Sequence, residues 1–406
     1  MFSKKSQYPI GLDISDYSLK AVQLGKSGDK IKIQGLGKIN LPEGVIVSGE
    51  IRNVDKFKEN VRTLLSKPKF GSFSSSEVVA SLPSLKTFIK LIRMEKTPNR
   101  LKDIIETEIE KEIPVSIENT YYDWQVMEER SDYYKILAGI APKDLVNQYI
   151  EALRTSKLSV VALEIESIPI SRALLREESP TFGIEHKHIN LGFLKNSKKN
   201  TGIQKISKNE DAKINYGIID LGENQAKMII YARNSIITSI SMPISGQKIT
   251  KQIAESLEID DDQAEKAKII CGLDKHKAQG IINEILTSDL DGLIKKIKMT
   301  IAFFETHYSD LGPINEILLS GGSSDIKDLD RTIEEALTIK TSFGNNFLHL
   351  DQDLDKFNQE LSETRKANAK FLKIKQNKPI SLNQNSSQGY TTAIGLALRN
   401  IFICND

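Results

Sequence analysis

The chain has almost no cysteine. Among its 406 residues only Cys271 and Cys404 are cysteines. They lie far apart, in no CxxC pair and beside no histidine cluster, which excludes a disulfide framework and a structural zinc site and fits a reducing cytoplasm. Charge of one sign is not in excess either. Lysine and arginine number 56 against 54 acidic residues, so no global basic field recruits nucleic acid. No uncharged run reaches the roughly 18 residues of a membrane span. The opening MFSKKSQYPIGLD carries two lysines but no apolar stretch of signal-peptide length. The expected location is the cytoplasm, with any membrane attachment supplied by another protein. The one tryptophan, Trp124, sits in an alternating segment and reads as core or interface packing, and His186 and His188 lack partner ligands for a metal. What is present is 39% apolar and 27% charged residues, the balance of a soluble globular protein too long for one core.

Periodicity organises the rest. Residues 8–24 and 30–41 alternate as strands, VDKFKENVRTLLSK has helical spacing, and EVVASLP is a short buried strand, as in an α/β layer. From Ser84 the order is strand, helix, two strands, helix, strand. The first of these helices is entered at Thr97-Pro98 and stopped at Pro114, and the second opens on Pro142. This predicts a compact α+β unit inserted between pieces of the first domain. Residues 176–212 and 352–388 are polar and rich in Lys, Asn and Gln, and read as flexible insertions. Between them run strands, the helical segments GQKITKQIAESLEI and DDDQAEKAKIICGLD, a helix over 294–308, and a strand–Gly-Gly–helix passage.

Two segments echo one another: PIGLDISDYSLKAVQL and YGIIDLGENQAKMIIY. Each is a buried strand, an aspartate, a polar turn and an outgoing strand. Facing each other across a cleft, such turns would point backbone N–H groups at phosphates. Asp13 and Asp220 would hold Mg²⁺ through its waters, and Lys20 would neutralise phosphate charge. The plainer reading is two surface hairpins with capping aspartates. LLSGGSSD, Leu318 to Asp325, adds a Gly-Gly turn that permits close backbone approach to a ligand. In AEKAK, Glu265 and Lys268 share a helix face, either as a solvated ion pair or as ribose and adenine contacts.

These pieces in this order resemble the ATPase fold of actin, sugar kinases and heat-shock chaperones. The inserted unit is similar to that of FtsA and PilM. The stretches IETEIEKEIPVSIENTYYDWQV, ILAGIAPKDLVNQYIEALRTSKLSVVALEIES, MPISGQKITKQIAESLEIDDDQAEKAK and ILLSGGSSDIKDL are similar to the PilM family of type IV pilus assembly. The resemblance implies an α/β protein of duplicated actin-like, ribonuclease H-like domains flanking a nucleotide cleft, with an α+β subdomain of the FtsA and PilM type. Its expected division is 1–83 for the first half of domain 1, 84–163 for the inserted unit and 164–212 for the return to domain 1. Residues 213–256 then open domain 2, 257–312 form its helical subdomain, and 313–406 complete it.

The resemblance also implies ATP and Mg²⁺ as cofactors. It assigns Asp13, Ser15, Asp16, Ser18 and Lys20 to the first phosphate hairpin and Asp220, Gly222, Glu223, Asn224 and Gln225 to the second. Gly246, Glu265 and Lys268 would lie by the adenosine, with Gly321, Gly322 and Ser323 over the base and ribose. Asp13 and Asp220 would hold the metal, and Glu166, or alternatively Glu164, would orient an attacking water. Relatives often carry Gly-Ser in the first turn, where Ser15-Asp16-Tyr17 stands here. They carry a hydroxyl in the second, where Glu223-Asn224-Gln225 stands. The expectation is therefore nucleotide binding with at most weak ATP hydrolysis. Implied partners are the cytoplasmic N-terminal tail of a bitopic pilus inner-membrane protein and an assembly ATPase, with indirect membrane association and no nucleic acid. Two other functions share the fold: an FtsA-like division filament, which would need an amphipathic tail absent from GLALRNIFICND, and a small-molecule kinase, for which no substrate-site constellation stands out.

Overall fold

The computed structural model describes residues 8–96, 101–112, 116–176, 184–185, 214–242, 244–353, 355–359, 362 and 387–403. Thr97-Pro98, Pro114, His186, His188, Cys404 and most of the two polar stretches lie outside these residues, and so do the expectations placed on them.

The chain opens as an antiparallel meander of β1 (Ile10–Ile14), β2 (Ser18–Ser27) and β3 (Lys30–Asn40). Helix α1 (Val54–Ser66) is started by Asn53, whose side chain accepts from the Lys56 amide, and it buries Phe57, Val61 and Leu64. Strand β4 (Glu77–Leu82) then lies parallel to β1. Next come β5 (Phe88–Glu95), α2 (Leu101–Glu112), β6 (Thr120–Glu129) and β7 (Tyr133–Pro142), followed by α3 (Lys143–Thr155), β8 (Ser159–Ile165) and α4 (Ser167–Leu174).

The second half repeats the plan. Its meander is β9 (Tyr216–Leu221), β10 (Ala226–Ala232) and β11 (Ser235–Met242). Three helices follow, α5 (Gly246–Leu257), α6 (Asp261–Cys271) and α7 (Ile281–His307), then β12 (Glu316–Ser320), α8 (Leu329–Leu337), β13 (Lys340–Phe343) and α9 (Thr391–Ile403). Strand order is β8-β4-β1-β2-β3 in one sheet and β13-β12-β9-β10-β11 in the other, so the halves share one topology. Short strands Ile184–Glu185 and Phe70–Gly71 extend the edges of the first. Both leading strands, β1 and β9, are central, and β1 is buried along its whole length, as strands covered on both faces must be.

Two expectations about organisation are corrected. The helix and strand assigned to the end of the inserted unit belong to the first layer. Strand β8 pairs parallel to β4, and α3 packs Leu145, Val146, Tyr149 and Leu153 into the same core as Phe57, Val61 and Leu64 of α1. The alternation of apolar residues that predicted these elements says nothing about which sheet they join. The inserted unit is thus β5, α2, β6 and β7, and its sheet continues from β11 through the single pair Thr238–Lys90. The long helix, expected from Ile294, begins at Ile281.

The halves are tied by an exchange of helices. Helix α4, which ends the first half, buries Ile168, Ile170 and Leu174 against Ile218, Ile229 and Leu318 of the second sheet. Helix α9, which ends the second, buries Ala393, Ile394 and Ala397 against Val22, Leu24 and Leu36 of the first. Beneath the crossing, Glu164 receives a bidentate pair of hydrogen bonds from Arg172 at 2.8 and 2.9 Å and a third from Arg399 at 2.8 Å. No helix among the described residues is long and apolar enough to cross a membrane.

Candidate functional site

The two hairpins expected to face each other do so, and their tips touch. In the first, the Ser15–Ser18 turn is closed by the Ser18 amide donating to Ser15 Oγ at 3.1 Å. Asp13 and Lys20 are directly opposite in register, with Lys20 Nζ 3.6 Å from Asp13 Oδ2. Ser81 Oγ, from the neighbouring β4, donates to Asp13 Oδ1 at 3.3 Å. In the second hairpin Asp220 faces Lys227 in the same way, at 3.4 Å. Lys227 was not among the expected site residues. A signal for it exists: both echoed segments place a lysine seven residues after the aspartate, Asp13 to Lys20 and Asp220 to Lys227.

Glu223 crosses the cleft. Its Oε2 accepts from Ser18 Oγ at 2.7 Å, and its Oε1 lies 2.6 Å from Lys38 Nζ and 3.8 Å from Lys20 Nζ. Lys20 and Lys38 are opposite one another across β2 and β3, an arrangement that like charges disfavour unless an anion sits between them. The Glu223 carboxylate is that anion. Burial would raise its pKa, but Lys20, Lys38 and Ser18 hold it down at about 2. Lys20 is correspondingly kept protonated: burial works against its charge, and Glu223 and Asp13 outweigh it.

This gives a pH prediction with a definite sign. Glu223 falls from an ordinary 4.5 to about 2 on folding, so its contribution is complete above pH 4.5 and is lost as pH drops towards 2. Thermal unfolding of the wild type should therefore weaken more steeply between pH 4.5 and 2 than that of Glu223→Gln. Parallel slopes for the two would remove the argument.

Asp16 is turned away from this point. Its oxygens accept from the Ser48 and Gly49 amides at 2.8 and 2.9 Å and from Asn224 Nδ2 at 3.1 Å. The extra acid of the first turn anchors a loop and, with Asn224, clasps the second hairpin. In that second turn the Gly222 amide donates to Gln225 O, so Gln225 closes the turn through its backbone.

Glu166 caps the end of β8. Its Oε2 accepts from the Ser84 amide at 3.2 Å and Ser84 Oγ at 2.7 Å, and lies 2.8 Å from Lys227 Nζ. Burial favours its neutral form, yet Lys227 and Ser84 leave its pKa lowered. Glu164, the alternative water-orienting residue, is fully buried in the arginine cluster described above and is structural.

The residues expected beside an adenosine also converge. The Gly246 amide donates to Gly222 O, the Ser323 amide donates to Leu221 O, and a side chain at 246 would strike Ser323 Oγ. Gly321 adopts φ of +89° against Leu221 O, which only glycine tolerates there, while Gly322 faces Gly389 across a gap. Lys268 is buried and spends all three N–H groups on Gly246 O, Thr250 Oγ1 and Glu265 Oε2. In the Glu265–Lys268 pair the ammonium is buried, while the carboxylate, bonded through Oε2, stays 40% exposed. The pair fixes the first turn of α5.

The metal expectation meets a different donor set. Asp13 and Asp220 each already have an ammonium group at salt-bridge distance, and Lys227 links Asp220 to Glu166. Among the described residues no three His, Cys, Asp or Glu side chains converge as metal ligands. Mg²⁺ held through its waters by Asp13 and Asp220 would have to share these carboxylates with Lys20 and Lys227.

The family described as type IV pilus assembly protein PilM matches residues 11–188 and 195–401. The chain belongs to the PilM family. Among solved structures, a chain of a PilM–PilN type IV pilus biogenesis complex superposes with a TM-score of 0.71 at 18% identity, covering 97% of this chain and 98% of that one. With the shared topology of the two halves, this makes the fold actin-like. Looser overlaps occur with the ethanolamine utilization protein EutJ from Carboxydothermus hydrogenoformans (TM-score 0.48, 11% identity, 96% and 89% covered) and with MreB5 of Spiroplasma citri (TM-score 0.44, 12% identity, 91% and 98% covered).

Proposed function

We propose that this PilM-family protein is an ATP-binding scaffold of the type IV pilus inner-membrane platform, held at the inner face of the membrane by the cytoplasmic tail of a bitopic partner. The observation that carries the nucleotide part is the Glu223 carboxylate, held between Lys20, Lys38 and Ser18 at the mouth of an actin-like cleft. Two opposed lysines and a hydroxyl around one carboxylate form an anion site, and phosphate is the stronger ligand for it. ATP enters by displacing Glu223, with its phosphates taking over Ser18, Lys20 and Lys38. The base and ribose lie towards Gly246, Gly322 and Ser323.

Glu166 is the residue in this reading that orients a water. Because its Oε2 is shared by Ser84 and Lys227, hydrolysis is slow and the bound state is long-lived. Nucleotide state then sets whether the hairpins are clasped by Glu223 and Asn224 or spaced by phosphates. The partner part rests on the family and on the solved relative, whose complex is with PilN.

Calorimetric titration with ATP tests the reading. Wild type should bind, and Glu223→Gln should bind about tenfold more tightly, equivalent to about 1.4 kcal/mol, because the competing charge is gone. Absence of binding in both proteins would reject the nucleotide reading. Equal affinity would reject the displacement step.

A further inference from the structure

Resting on the nucleotide reading, we propose that Lys227 Nζ takes the place of a protein-held divalent cation, so that this cleft binds ATP without a metal ion. The geometry is specific. Lys227 rises from β10 opposite Asp220 and ends 3.4 Å from Asp220 Oδ2 and 2.8 Å from Glu166 Oε2. Those two carboxylates, with Asp13, are the acids at the base of the cleft. The ammonium is itself buried, so this is a built interior contact and not a surface lysine that has fallen across an acid.

Charge and coordination argue in the same direction. Mg²⁺ demands a near-octahedral shell of oxygens, its waters included, and reaches protein through carboxylates. Here the carboxylates that would receive those waters already accept from an ammonium group, and a divalent ion placed among them would lie beside Lys227 and Lys20. Lys20 of the first hairpin and Lys38 of the adjoining β3 serve the phosphates, and Lys227 supplies the positive charge on the opposite wall. A lysine held by two carboxylates differs from a metal in one respect that bears on function. It cannot polarise a bound water as a Lewis acid does, which fits a cleft that holds nucleotide and turns it over slowly.

The test compares ATP affinity in Mg²⁺ with affinity in EDTA, and separately measures Mn²⁺ binding by electron paramagnetic resonance without nucleotide. Wild type should bind ATP within about threefold in the two conditions and should leave Mn²⁺ free. Lys227→Met should bind Mn²⁺ at the exposed carboxylates and need Mg²⁺ for ATP, with a loss of at least tenfold in EDTA. A tenfold loss in EDTA for the wild type overturns the inference and leaves the nucleotide reading standing. Mn²⁺ bound by wild type and lost in Asp220→Asn does the same. No ATP binding in either condition overturns both. Folding of Lys227→Met is checked by circular dichroism, and should it fail, the wild-type arms decide alone.

Discussion

Glu164→Ala should cost about 3–5 kcal/mol of folding stability, the loss expected when one member of a buried ion cluster is removed. Glu164 is fully buried, and its two oxygens serve two guanidinium groups that are themselves buried, Arg172 on α4 and Arg399 on α9. Arginine cannot discharge itself by losing a proton, so the substitution strips the shared counter-ion from two fixed positive charges. Arg172 Nη1 also donates to Gly395 O at 2.9 Å, so the cluster sits on the crossing of the helices exchanged between halves. Urea denaturation measures the effect. Glu164→Gln, which keeps the shape and one acceptor, should lose less. A loss below about 1 kcal/mol for the alanine variant would mean that water or rearrangement replaces the carboxylate. The same experiment separates structure from chemistry: a water-orienting residue would lower turnover and leave stability alone.

Gly395→Ala should be the second large effect, and its sign is the informative part. In an ordinary helix interior, glycine to alanine stabilises by about 1 kcal/mol. Here a Cβ would land 1.8 Å from Pro169 O and 2.5 Å from Pro169 C, both backbone atoms that cannot rotate aside. Overpacking of this kind costs about 1–3 kcal/mol or more, because α9 and α4 must separate along their whole contact. On the opposite face α9 lies equally close to the first sheet, where a Cβ at Gly11 would meet Ala393 O at 2.2 Å. Pushing α9 off α4 therefore presses it into β1, the strand that carries Asp13. Gly395→Ala is expected to lower the urea midpoint and to weaken ATP binding together. A stabilised variant with unchanged binding would show that the crossing is looser than these distances require.

Much of the candidate site is legible in the sequence. The repeated strand–Asp–turn–strand pattern located both hairpins, and the Gly-Gly turn located the close backbone approach at Gly321, because glycine marks places where chain approaches chain, while Gly246 came from the family resemblance. Other parts were not legible for a physical reason. Whether Asp16 faces phosphate or the Ser48 and Gly49 amides depends on a loop 32 residues away in sequence. Whether Lys268 is solvated or buried depends on how α6 meets α5, since the three spent N–H groups include two acceptors on α5. Lys227 was within reach through its spacing, but a lone lysine after a turn looks like any strand-end surface residue until its partner Glu166 arrives from β8.

Local pattern by itself determined most of the elements and their order, the duplication and the two hairpins, though not α4, β13 or the start of α7, since side-chain periodicity and turn chemistry act over a few residues. Only the tertiary structure decided which sheet β8 joins, that α4 and α9 change halves, and that Glu223 and Lys227 fill the cleft with the protein's own charges. Those outcomes depend on Coulomb and packing interactions between residues as far apart as Ser18 and Glu223 or Glu164 and Arg399, and no short-range signal encodes such distances.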